Sequence, residues 1–192
     1  MSLTADWQDQ DIAAYVEFCD AVQIADYTVP LQVWASESDN KAAAHNPNGN
    51  ASGIFQLMPA TAKDIGYNVR FDPTLAMFRA MPVAGQLDWA RKFYGAHTGQ
   101  VGTVASFYLC TFLPALLSCA ADPTHVLAAK GGPLEWVYTA NAASFDPLHT
   151  GFITVQSLVD AAARATGPRT HELMDRVRAY RATITTQPGP VS

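Results

Sequence analysis

The chain has 192 residues, 49% of them hydrophobic and 15% charged, enough to bury one sizeable core and shape a cleft in a single domain or a domain with an elaboration. Twelve Lys and Arg stand against seventeen Asp and Glu, a net charge of -5, and the basic residues are dispersed except between Arg164 and Arg181, which argues against nucleic acid as a partner. No apolar run reaches the ~20 residues that span a bilayer, and Met1 to Gln10 lack the positive start and apolar stretch of a secretory signal. From Asp9 to Ile24, the apolar residues Ile12, Tyr15, Val16, Cys19 and Val22 recur at helical spacing and predict a first helix. Thr28 and Pro30 signal the start of a second, which continues through Leu31, Val33, Trp34 and Ala35 and carries Glu37 in its last turn.

Ala44 to Ser52, with His45-Asn46-Pro47-Asn48-Gly49-Asn50, is turn chemistry: a loop, or one side of a short hairpin across Asn46 to Gln56. Pro59 and Thr61 open a short helix that ends near Gly66, and Phe71-Asp72-Pro73 starts a segment running to Met81-Pro82. Gln86 to Tyr94 is helical and closed by Gly95; Val101 to Cys119 is the most apolar stretch, expected to be a central core helix bent or restarted at Pro114. No strand pattern of comparable length competes, so the class is mainly α.

Further on, Asn141 to Leu158 has the outline of an EF-hand loop, with Gly151 at the sixth place and Ile153 at the eighth counted from Asp146. The third, fifth and twelfth places are Leu148, Thr150 and Ser157, so the stretch is read as a metal-free helix-loop-helix, with calcium binding as the alternative. Arg164 to Arg181, with Leu173, Met174, Val177 and Tyr180, reads as a closing amphipathic helix, and the Pro- and Gly-rich end from Thr185 to Ser192 as frayed. Cys19, Cys110 and Cys119 lack the paired spacing of a zinc site and read as buried free thiols, with a disulfide as the alternative. The five histidines are spread out without two on one helix face, so no metal or cofactor is expected.

Glu37 is the residue on which chemistry would rest. An acid near a helix C-terminus is ordinarily a solvated surface group, but Val33 and Trp34 lie one turn back, which points this side chain along an apolar stripe. Desolvation there would raise its pKa and keep it protonated, as a general acid for a glycosidic oxygen requires. Glycoside cleavage usually takes two carboxylates. The nearest in sequence, Asp39, Asp64 and Asp72, read respectively as a helix terminus, a surface position beside Lys63 and a helix cap.

Glu37-Ser38, a small polar loop and Gly53-Ile54-Phe55-Gln56-Leu57-Met58-Pro59-Ala60-Thr61-Ala62 together resemble the motif pair of soluble lytic murein transglycosylases and goose-type lysozymes. The likeness runs from about Leu31 to Leu117, close in its first half, and implies a lysozyme-like fold with a C-terminal helix-loop-helix elaboration. The implied layout is a catalytic core over 1–121, an elaboration with the degenerate EF-hand-like loop over 122–184 packed on it, and a tail over 185–192. It further implies that Glu37 acts first as acid and then as base while the 6-hydroxyl of muramic acid attacks, leaving a 1,6-anhydro sugar. Ser38, Gln56 and Ser52 would line the cleft and Ile54 and Phe55 would form its apolar wall. Gln56 read by itself is equally a cap for backbone groups, and the loop from Asn46 to Ser52 is a rim for sugar or simply a turn.

A third family motif, Ala-Tyr-Asn-Ala-Gly on a core helix, is matched only by Tyr108; Leu109 stands where the asparagine would be. In this the chain is similar to phage-associated members. The resemblance therefore implies a peptidoglycan-degrading enzyme acting on glycan strands, delivered by a phage particle, a holin or a secretion machine whose proteins would be its partners. A hydrolytic goose-type lysozyme and a non-catalytic wall-binding or structural module are the alternatives.

Overall fold

The computed structural model describes residues 2–46 and 50–185. Of the frayed end expected from Thr185 to Ser192, Thr185 is the last residue of a helix and 186–192 lie outside the described residues, as does the centre of the polar loop, 47–49. Nine α-helices and one two-stranded sheet are formed among the described residues, so the class is mainly α. No helix among them is long and apolar enough to cross a membrane.

The first helix, α1 (Asp9–Ala21), begins at a capping box in which the Gln8 amide donates to Asp11 Oδ2 at 2.8 Å. The other oxygen of Asp11 accepts the Ala84 amide at 2.8 Å, inside the first turn of α5 (Val83–Gly95), so one buried carboxylate caps two helices and fixes their docking. α1 stops at Ala21, short of Ile24, because Gln23 takes the left-handed conformation and turns the chain.

α2 (Val29–Ser38) starts after Thr28 with Pro30 in its first turn, where a missing N–H costs nothing. Its apolar residues Leu31, Val33, Trp34 and Ala35 are buried, which places this helix inside the fold. Trp34 is its centre: its ring lies 5.5 to 6.4 Å from those of Tyr15, Phe18, Phe55, Tyr94 and Phe107. The short α3 (Pro59–Asp64) and α4 (Ala76–Arg79) follow. Asp72 caps the latter, accepting the Phe78 amide at 3.0 Å and the Tyr67 hydroxyl at 2.8 Å. Burial works against the charge of Asp72, and the Tyr67 and backbone hydrogen bonds overcome it and lower the pKa.

The expected long helix from Val101 to Cys119 divides. α6 (Val104–Phe112) is buried from Ser106 to Cys110, whereas Pro114–Cys119 is a 3-10 turn with no fully buried residue. Pro114 cannot donate to Cys110 and its ring opposes continuation, so the apolar run beyond it is only half-buried, with Leu116 and Leu117 packed on the edge of the core. All three cysteines are free; Cys19 and Cys110 are buried and Cys119 is half-buried, less enclosed than its apolar neighbours suggest.

β1 (Val126–Ala129) pairs antiparallel with β2 (Phe152–Thr154), either side of α7 (Glu135–Phe145). The EF-hand outline is filled by hydrogen bonds. Asp146 accepts the Thr150 amide and hydroxyl, each at 2.8 Å, the Gly151 amide at 2.9 Å and the Tyr138 hydroxyl at 2.9 Å. Burial opposes its charge, but those donors hold the Asp146 pKa down at about 2. Ser157, at the twelfth place, completes a capping box with Thr154 that starts α8 (Val155–Ala165).

The expected closing helix is interrupted at Thr166-Gly167. Arg164 therefore falls in the last turn of α8, and a separate α9 (Pro168–Thr185) begins at Pro168. α8 packs against α2 and α6, and Leu127, Phe145, Ile153, Leu158 and Leu173 join the same apolar cluster as Trp34. α9 grips the end of α2 through Arg169, which donates from Nε to the Asp39 carbonyl at 2.8 Å and from Nη2 to the Asn40 carbonyl at 3.1 Å, and pairs with Asp6 at 2.7 Å. The Trp7 indole donates to that Asn40 carbonyl at 2.8 Å, so the two left-handed residues closing α2 are held from both termini of the chain.

Candidate functional site

A cleft of about 620 Å³ opens between α2, α6, the segment 51–58 and the α7–α8 pair. Its walls include Ser36, Glu37, Gln56, Met58, Tyr108, Thr111, Asn141, Ser144 and Arg164, with Phe112 and Phe145 at its apolar end.

Glu37 sits in the last turn of α2, half-buried, in the lining of the cleft. Desolvation raises its pKa above the ordinary glutamate value, and hydrogen bonding from Tyr108 partly offsets that rise. Glu37 is the one acid among the described residues of the lining. Tyr108 is 1% exposed, wedged edge-on against Phe145 at 5.6 Å, and burial followed by the Glu37 charge pushes its own pKa far up, so it stays a hydroxyl. Ser36 Oγ is 2.8 Å from the Tyr108 hydroxyl and 2.7 Å from the Val33 carbonyl. When the Ser36 proton serves Tyr108, the phenol's own proton is left for Glu37.

The wall bearing Gln56 is a tight turn. Ser52 and Leu57 exchange both backbone hydrogen bonds, at 3.1 and 2.8 Å, and Gln56 takes the left-handed conformation with its Nε2 donating to the Gly53 carbonyl at 3.0 Å. The hairpin expected across Asn46 to Gln56 is reduced to isolated bridges from Ser52 to His45 and to Leu57. Behind the turn lies Gln86, fully buried: its Oε1 accepts the Ile54 amide at 2.9 Å, and its Nε2 donates to the Ala42 and Phe78 carbonyls at 2.8 and 3.1 Å. Gly53 has φ +79°, and a Cβ there would stand 2.4 Å from both Gln86 Oε1 and a Phe78 ring carbon. The glycine is therefore required twice over, by conformation and by space.

Of the residues expected to line the cleft, Glu37, Gln56 and Tyr108 converge there. Ser38, Ser52, Ile54 and Phe55 are placed behind the wall. Ser38 Oγ reaches back to the Trp34 carbonyl at 3.0 Å and across to the Ile54 carbonyl at 2.6 Å, tying the end of α2 to the turn. Ser52 is buried beneath Arg79, whose Nη1 donates to it at 2.8 Å, and Ile54 and Phe55 are core residues around Trp34 and Phe78. Gln56 faces the cleft and the apolar pair faces inward.

Asp39 is at the surface with Lys41 at 2.7 Å, Asp64 is exposed at the end of α3, and Asp72 is occupied as a cap; none reaches the lining. Leu109 is buried in the core, so the helix position after Tyr108 faces away from the cleft. The side-chain amides in the described lining come from Asn46, Gln56 and Asn141. Asn141, Ser144 and Arg164 were beyond sequence reasoning because they lie about a hundred residues from Glu37 on elements whose packing partner no local pattern names. No cluster of three or more His, Cys, Asp or Glu that would hold a metal is found among the described residues. No family model, no curated protein and no solved structure matches this chain, so the class rests on the helical architecture and the cleft.

Proposed function

We propose that the chain is a lytic transglycosylase of lysozyme-like fold, cutting peptidoglycan glycan strands between N-acetylmuramic acid and N-acetylglucosamine. The observation that carries this reading is a single desolvated glutamate, Glu37, in a cleft whose described lining holds no second carboxylate. A protonated Glu37 donates its proton to the glycosidic oxygen as the C1–O bond breaks. The resulting carboxylate then takes the proton from the 6-hydroxyl as that oxygen bonds to C1, so Glu37 ends protonated, no water is consumed and a 1,6-anhydro end is left. Tyr108, by favouring the charged form of Glu37, assists the first half of the cycle, in which Glu37 gives up its proton.

An inverting hydrolase would need a second carboxylate about 6.5–9.5 Å from the first, with space for water between them, and the cleft lining does not favour it. A non-catalytic wall-binding module is favoured by Leu109, where the resembled family carries a substrate-contacting asparagine. Digestion of purified murein sacculi followed by product mass measurement separates the readings: 1,6-anhydro ends support the proposal, reducing ends support a hydrolase, and binding without release supports the module.

A further inference from the structure

The lining of the cleft carries two charged residues, Glu37 and Arg164. Arg164 Nη2 donates to the Ser144 carbonyl at 2.8 Å, which fixes the guanidinium against α7 and leaves its remaining N–H groups for the cleft. Other arginines of this chain are taken up by carboxylates: Arg169 by Asp6 at 2.7 Å, Arg176 by Asp9 at 3.0 Å and Arg178 by Asp175 at 2.8 Å. Arg164 has no carboxylate partner among the described residues, and with Glu37 held toward its neutral form this end of the cleft is positive in a chain of net charge -5. Beside it, the Asn141 amide nitrogen is committed to the Val137 carbonyl at 2.9 Å, which fixes that side chain in the wall.

We propose that Arg164, flanked by Asn141 and Ser144, is an anion subsite of the cleft that receives a carboxylate carried by the substrate. A guanidinium anchored through one nitrogen presents the rest of its fork to a planar carboxylate, the geometry of a charge-assisted bidentate contact. The inference rests on the glycan-cleaving reading. Two carboxylates of peptidoglycan share this chemistry: the free lactyl group of a muramic residue stripped of its peptide, and the acidic groups of a stem peptide.

The test measures binding by calorimetry with the Glu37→Gln chain, alone and combined with Arg164→Met. The ligands are a neutral chitooligosaccharide, peptide-free glycan strands bearing lactyl carboxylates, and strands bearing stem peptides; cleavage of sacculi by the otherwise unaltered chain and by Arg164→Met runs alongside. Arg164→Met is expected to weaken one or both anionic ligands about tenfold, the scale of one lost charge-assisted hydrogen bond, and to leave the neutral ligand unchanged. The anionic strand that responds names the source. Arg164→Lys should restore part of the loss. Equal weakening of neutral and anionic ligands, or none, overturns the subsite even if sacculi are cleaved. Discrimination by charge without cleavage leaves the subsite standing and removes the enzyme; no binding of any of the three ligands overturns both.

Discussion

Replacing Gly53 by alanine tests the construction of the cleft at its tightest point. The added methyl would stand 2.4 Å from Gln86 Oε1 and from a Phe78 ring carbon, both belonging to buried side chains that have nowhere to go. An L-residue held at φ +79° adds about 1–2 kcal/mol. Overpacking adds about 1–3 kcal/mol, and a displaced Gln86 would strand the Ile54 amide at a similar cost of about 1–3 kcal/mol. These are partly alternative ways of relieving one clash, so about 3–5 kcal/mol is expected in total, or a fall in Tm of about 10 °C for a chain of this length. Urea unfolding of Gly53→Ala, Gln86→Ala and the double variant provides the assay. Because Gln86→Ala removes one of the two clashing groups, the double variant should cost at least ~1 kcal/mol less than the sum of the singles. A loss below about 1 kcal/mol for Gly53→Ala, or strict additivity, would refute the claim that Gln86 clamps this turn.

Other expectations concern the acid and its supports. Glu37→Gln should abolish glycan release from sacculi. It should also stabilise the chain, and the sign is fixed: the folded pKa of Glu37 lies above its unfolded value, so the native state binds more protons and native stability falls as pH rises from the unfolded pKa through the raised folded one. Thermal melts should accordingly separate variant from parent above that window and coincide below it. Tyr108→Phe removes the hydrogen bond that lowers the Glu37 pKa, so the alkaline limb of the pH–rate profile should move upward; a downward or absent shift in the surviving activity would contradict the pairing. Arg169→Met withdraws its donors from the carbonyls of Asp39 and Asn40 and should cost ~2–3 kcal/mol by chemical denaturation. Its hydrogen exchange should rise at the end of α2 and along α9 before anywhere in α6.

The legible parts of this chain were those whose physics is local. The buried α2 with Glu37 in its last turn could be read because helical spacing and a proline start are written within ten residues. Asp72 as a cap and the helix-loop-helix around Asp146 could be read because each depends on neighbours a few positions away. The break expected at Pro114 could be read for the same reason, because the missing amide of Pro114 is a local property; how little of the stretch beyond it is buried could not.

Sequence by itself determined the mainly helical class and the acid at the end of an apolar helix, because composition and periodicity act over short stretches. Only the tertiary structure decided which face of the Gly53 turn meets the cleft, turning Gln56 outward and Ser38, Ile54 and Phe55 inward. It alone brought Gln86 beneath the turn and Asn141, Ser144 and Arg164 opposite Glu37. Those placements arise from α8 burying its apolar face on α2 and α6, a long-range contact whose strength depends on area removed from water and leaves no mark on the spacing of the residues it joins.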